Sequence, residues 1–160
     1  MDEPHPHHVG HLIRRAQQIH NKVWSTDVSS EVTSPQMALL VALTRYPGID
    51  QRTLGALVSL DRSTTADVVE RMLGRGYVQK TRDPGDRRRN VLRLTEAGEL
   101  LVKELQPRTE KNNDRLLGLL PPDDAQELVR LLTSFVTAAA DVEQEEIELD
   151  RSRSTGGRSG

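Results

Sequence analysis

Apolar positions recur along most of this chain with the three- and four-residue spacing of amphipathic helices. Residues 9–29 carry Val9, Leu12, Ile13, Ala16, Ile19 and Val23 on one stripe, with Trp24 beside it. Thr33-Ser34-Pro35 announces a second helix, with Ser34 as N-cap and Pro35 at the first helical position, where its missing N–H costs nothing. Met37, Leu40, Val41, Leu43 and Thr44 carry its stripe, and Tyr46-Pro47-Gly48 ends it. Asp50 can cap a short helix over 51–58 with Leu54, Leu57 and Val58 inward. Asp61 or Ser63 caps another over 64–73, with Val68, Val69 and Met72 facing the core, and Gly74 and Gly76 stop it.

The period then changes. Two short β-like runs, 77–81 and 91–94, flank the turn sequence DPGDRRR, with Val78, Val91 and Leu94 as the expected inward positions. Helical spacing returns at Thr95, with Glu96 and Gly98, and runs to about 120 through Leu100, Leu101, Leu105, Leu116, Leu117, Leu119 and Leu120. Pro107 should bend that helix. Pro121-Pro122-Asp123 breaks it, and a last helix over 124–147 carries Leu128, Leu131, Leu132, Phe135, Val136 and Ala139. Two short helices followed by a hairpin with a basic tip form a winged helix-turn-helix. The fold class is therefore mainly α with a small β-hairpin wing. Residues 1–8 read as a disordered N-terminus, 34–98 as the winged lobe, 9–33 and 99–147 as a helical dimerisation region, and 148–160 as a flexible tail. The long flanking helices carry more apolar surface than one small lobe can cover, which points to a two-fold homodimer.

Charge sharpens this picture. The net charge of −2 hides a strong asymmetry. Residues 62–93 hold nine Lys and Arg against four acids, a local charge of +5, whereas 141–150 hold six acids and no base. Local potential, not net charge, attracts phosphate. The expected partner is double-stranded DNA. The first turn of the 64–73 helix places Ser63, Thr64, Thr65 and Asp67 as base or phosphate contacts in the major groove, with Arg62 on phosphate. Arg87, Arg88 and Arg89 sit at the hairpin tip, where they can reach DNA beside it.

Several classes drop out. There is no cysteine, which removes thiol redox sensing and Cys-ligated zinc, and fits a reducing cytoplasm. No apolar run reaches about 18 residues, so no membrane span is expected, and the His-rich start does not resemble a signal peptide. No phosphate-binding loop, dinucleotide fingerprint, zinc-protease helix or nucleophile elbow is present, so an enzyme is not expected. His5, His7, His8 and His11 leave a zinc-responsive regulator as one alternative, although Pro4 and Pro6 oppose a helix there. A DNA-binding protein that senses nothing is another alternative.

The first helix bears on that choice. At 100° per residue, Leu12, Ala16, Ile19 and Val23 form the stripe centre and Arg15 its edge, while Arg14 faces away. His20 and Trp24 share the other edge, four residues apart. A partly buried Arg15 needs an anion, and a carboxylate ligand supplies one. His20 would then meet a hydroxyl and Trp24 would wall an aromatic ring. The alternative is an Arg15 paired with an acid of the dimer and a Trp24 that is simply core.

The element order, and above all RGYVQKTRDPGDRRRNVLRLTEAG (75–98), resembles the MarR family of bacterial transcription regulators. The likeness spans roughly 9–142. LIRRAQQIH (12–20) and SPQMALLVAL (34–43) resemble its aromatic-acid-responsive, PcaV-like subgroup. That resemblance implies a repressor of aromatic-acid catabolic genes, released from its operator by a small aromatic carboxylate such as protocatechuate, with no other cofactor. It also implies Arg88 as a minor-groove reader, Asp86 as a brace for an arginine, and Arg87 on phosphate or in a salt bridge. Arg89 departs from the pattern, where a small residue is common, so its role stays open.

Overall fold

The computed structural model describes residues 8–86 and 88–156, and for 141–156 the backbone alone. Two compact units emerge, Met1–Asp114 and Arg115–Gly160. The first begins with α1 (Val9–Asp27), α2 (Ser34–Arg45), α3 (Gln51–Leu57) and α4 (Arg62–Gly74). The hairpin of β1 (Val78–Arg82) and β2 (Asn90–Leu94) follows, then α5 (Glu96–Leu117), whose last turn crosses the unit boundary. The second unit holds α6 (Pro122–Gly156).

Local chemistry explains the starts of α2 to α5. Thr33, not the expected Ser34, caps α2. Its Oγ1 accepts the Gln36 N–H at 3.4 Å, and Gln36 Oε1 accepts the Thr33 N–H at 3.0 Å. Reciprocal bonding needs a Gln or Glu at the third helical position, and only Thr33 has one. Asp50 caps α3 through the Thr53 N–H, and Asp61 caps α4 through the Thr64 N–H, each at 2.9 Å. Thr95 caps α5: its hydroxyl accepts the Gly98 N–H at 3.1 Å and donates to the Gly76 carbonyl at 2.6 Å. A Cβ at Gly98 would overlap the Tyr77 carbonyl, so glycine lets α5 start against the hairpin. The helix runs on through Pro107 as one element.

Trp24, Val28 and Val32 share one core with Met37, Leu39, Leu40 and Leu43 of α2, Leu54 of α3, and Val68, Val69 and Met72 of α4. Val78, Leu92, Val102 and Leu105 complete it. The end of α1 and the first half of α5 therefore pack with the winged lobe instead of forming a separate layer. The hairpin pairs antiparallel, Val78 with Leu94 through Arg82 with Asn90. Successive residues Val91 and Leu92 are both buried, although they point to opposite faces. A third segment edges β2 there: the Leu92 N–H donates to the Ile49 carbonyl at 2.8 Å, and the Gly48 N–H donates to the Leu92 carbonyl at 2.9 Å.

Three expectations change. Leu57 is 48 % exposed, because seven residues of α3 turn only Leu54 and Gly55 fully inward. Leu100 on α5 also faces outward, and Val102 takes the core position. In the second unit α6 continues past 147 to Gly156, so the backbone of 148–156 is helical where the helix was expected to end at 147. Glu, Gln, Leu and Arg are good helix formers, and no glycine or proline interrupts α6 between Pro122 and Gly156. The expected disorder of 1–8 and of 157–160 falls on positions outside the described residues, His8 excepted. Among the described residues no helix is long and apolar enough to cross a membrane.

Candidate nucleic-acid interface and effector cavity

The turn between α3 and α4 is tight. Ser59 takes a left-handed backbone (φ 54°), and the Leu60 N–H returns to the Gly55 carbonyl at 3.0 Å. Gly55 lies against the Thr65 side chain, so the two helices approach through a glycine and a threonine. Thr65 is buried, and its hydroxyl donates to the Asp61 carbonyl at 2.7 Å. This corrects its expected place on DNA, because the side chain points into the helix crossing. Thr64 is half-buried and spends its hydroxyl on Asp61 Oδ2 at 2.5 Å. These bonds to Thr64 hold the Asp61 carboxyl below its usual value. Arg62, Ser63 and Asp67 stay exposed on one face of the first turns. Ala66 joins them, a position with no polar signal in the sequence.

The wing is folded by its acids. Asp83 accepts the Gly85 N–H at 2.8 Å, and Asp86 accepts the Arg88 N–H at 2.9 Å. Asp86 thus braces the backbone of the turn. The Arg89 N–H donates to the Asp86 carbonyl at 2.9 Å, and the Asp83 N–H to the Arg89 carbonyl at 2.9 Å. Arg88 is exposed and carries no ion pair among the described residues. Arg87 lies outside the described residues. Arg89 differs from both: its Nη2 sits 3.2 Å from Asp50 Oδ2 and its Nε 3.7 Å from Asp83 Oδ2. The expectation that Arg89 contacts DNA has to contend with these two carboxylates.

The first helix places its three candidates unequally. Trp24 is buried, and its Nε1–H donates to the Val32 carbonyl at 2.7 Å. His20 is half-buried, its ring 6.0 Å from that indole and tilted 47°. Arg15 is exposed and donates to Gln18 Oε1 at 3.4 Å. Burial of Arg15 was the expectation; within one chain the whole edge of α1 that it shares with Leu12 and Ile19 is open. Beside Trp24 lies a cavity of about 450 Å³, lined by Gln17, Asn21, Ser25, Ser29, Ser30, Val32 and the start of α2. Neither Arg15 nor His20 lines it. Among the described residues no group of three or more His, Asp or Glu converges as a metal site; His5 and His7 lie outside them.

Residues 32–89 match the MarR family. The transcriptional repressor NicR of Pseudomonas putida is 31 % identical over 129 residues, 80 % of this chain and 82 % of NicR. The chain belongs to the MarR family. As a MarR-family transcriptional regulator it has the expected winged-helix fold, and its relatives are regulators, not enzymes. Among solved structures it is similar to the PcaV regulator of Streptomyces coelicolor in complex with its natural ligand, at 45 % identity. That match covers 87 % of this chain and 99 % of PcaV, with a TM-score of 0.79. BpsR of Bordetella bronchiseptica, whose DNA binding is regulated by 6-hydroxynicotinic acid, is 29 % identical. It covers 84 % of this chain and 97 % of BpsR, with a TM-score of 0.76.

Sequence reasoning missed two features of this MarR-family chain. The cavity wall from Ser29 to Thr33 gave no signal, because short polar residues there read as a loop. The Gly55–Thr65 crossing was hidden because a lone glycine in a helix has no pattern.

Proposed function

We propose that this protein is a homodimeric cytoplasmic repressor that binds a pseudo-palindromic operator and is released by a small aromatic carboxylate such as protocatechuate. The observation that supports DNA reading best is the pairing of two exposed surfaces. One is the open face of Arg62, Ser63, Ala66 and Asp67; the other is the wing bearing Arg88, which has no acidic partner among the described residues. A helix start in the major groove and an arginine in the adjacent minor groove read base edges and groove width respectively. Two such heads related by a dimer axis read half-sites about one helical turn apart.

Ligand release is supported by similarity to PcaV, solved with its natural ligand, and to BpsR, regulated by an aromatic carboxylic acid. The cavity beside Trp24 supplies polar side chains around an aromatic wall. Arg15 lies on the open apolar edge of α1, where a second chain would desolvate it and make a carboxylate partner valuable. His20 tilts against Trp24 beside that cavity, and an imidazole is a natural hydrogen-bond partner for a ring hydroxyl. Ligand acts by binding better to the dimer shape that fits DNA poorly, and each tenfold loss of operator affinity requires about 1.4 kcal/mol of differential binding.

Arg15→Ala tests the pocket. The variant should bind the operator as the parent does and lose at least tenfold in effector sensitivity, read by fluorescence anisotropy. An unchanged effector response excludes Arg15 from the site.

A further inference from the structure

Arg89 presents a contradiction. It extends the basic run at the wing tip, yet two carboxylates hold its guanidinium. One belongs to the wing itself (Asp83) and one to the capping residue of α3 (Asp50). The Asp50 carboxylate also accepts the N–H and the hydroxyl of Thr53, each at 2.9 Å, so the arginine is tied to a fixed point of the helix-turn-helix. One residue before Asp50, Ile49 bridges Leu92 of β2. The wing is thus fastened to the α2–α3 turn by main-chain bonds at its root and by an ion pair further out. The guanidinium that would reach phosphate thus lies against two acids through Nη2 and Nε.

We propose that Arg89 is a positioning residue: through Asp50 it sets the angle of the wing on the helix-turn-helix, so that Arg88 meets the minor groove while α4 occupies the major groove. The inference rests on the DNA-binding reading above. Nη2 and Nε face acids on two different elements, at 3.2 and 3.7 Å, and a planar guanidinium spans both where a point charge would have to choose one. Phosphate, by contrast, accepts lysine as readily as a point charge can offer. The two roles therefore predict opposite responses to conservative changes.

The test measures operator affinity over a salt series for Arg89→Lys, Arg89→Ala, Asp50→Asn and, as comparator, Arg88→Ala. Asparagine still caps a helix, so Asp50→Asn removes the ion pair and keeps α3. Positioning predicts that Arg89→Lys and Asp50→Asn each weaken binding about two- to fivefold per wing, the worth of an exposed pair. Arg89→Ala weakens it similarly, with the salt slope unchanged. Three results overturn the proposal: an Arg89→Lys variant that binds like the parent, an Asp50→Asn variant that binds more tightly, or an Arg89→Ala slope reduced by about 0.9 per lost phosphate contact. Amide exchange over residues 83–90 gives a readout without DNA. It should quicken in Arg89→Ala and Asp50→Asn and stay unchanged in Arg88→Ala. If the parent binds no promoter fragment, the DNA reading fails while the exchange experiment still decides the anchor; unchanged exchange in both variants overturns it.

Discussion

Three neighbouring hydroxyls at the start of α4 show how one residue's environment decides its role. Ser63 faces solvent, Thr64 completes the Asp61 cap, and Thr65 fills the crossing with α3. As a Ser-Thr-Thr run they were indistinguishable, because each is short, polar and at home at a helix start. Gly55 breaks the tie, since a Cβ there would come within 2.5 Å of Thr65 Oγ1. Gly55→Ala should therefore cost about 1–3 kcal/mol of stability in urea unfolding, as overpacking does. Gly74→Ala, where nothing lies within 4 Å, should be neutral or stabilising by up to about 1 kcal/mol. Equal effects of the two would contradict the crossing. On the wing, Arg88→Ala should weaken operator binding about tenfold or more and flatten its salt dependence. Undiminished affinity at moderate salt would remove Arg88 from the groove.

Helix ends were the most legible elements, because caps are local chemistry. Asp50 was read directly from sequence, whereas α4 kept two candidates until the Asp61–Thr64 bonds separated them. The strand β2 was less legible: its outer edge pairs with Ile49, forty-three residues from Leu92, and alternation cannot encode that contact. The caps have a pH consequence. Thr53 and Arg89 lower the Asp50 carboxyl, and Thr64 lowers that of Asp61, both from a usual value of 3.8. A depressed carboxyl contributes stability that is present above 3.8 and is lost as pH falls through the lower folded value. Asp61→Asn should keep the cap near neutrality and make thermal unfolding less sensitive to pH below about 4. A pH profile identical to that of the parent would show that the Asp61 cap does not drive acid loss.

For the whole molecule, the question is what covers the open apolar helices. Val9, Leu12, Ile13 and Ile19 of α1 are exposed in the first unit, as are Leu131, Leu132, Phe135 and Val136 of α6 in the second. Single exposed apolar residues are ordinary, but runs on helical spacing mark an interface. Leu131→Glu with Phe135→Glu should yield monomer by analytical ultracentrifugation and lose operator affinity together with two-headed binding. A dimeric double variant would place the interface elsewhere. The same open surface explains why the candidate effector site was only partly legible. The indole, its histidine neighbour and the cavity beside the indole lie within one chain, but neither Arg15 nor His20 lines that cavity. The measurement that tests the central claim most directly is titration of the purified protein against labelled fragments of its own promoter region, at fixed salt, with and without a panel of hydroxylated aromatic acids. The account predicts sequence-specific binding at nanomolar to tens-of-nanomolar protein (the range of about 10⁻⁸ M or tighter typical of specific operators) that one aromatic acid reverses. Specific binding untouched by every acid, or no specific binding at all, would contradict it.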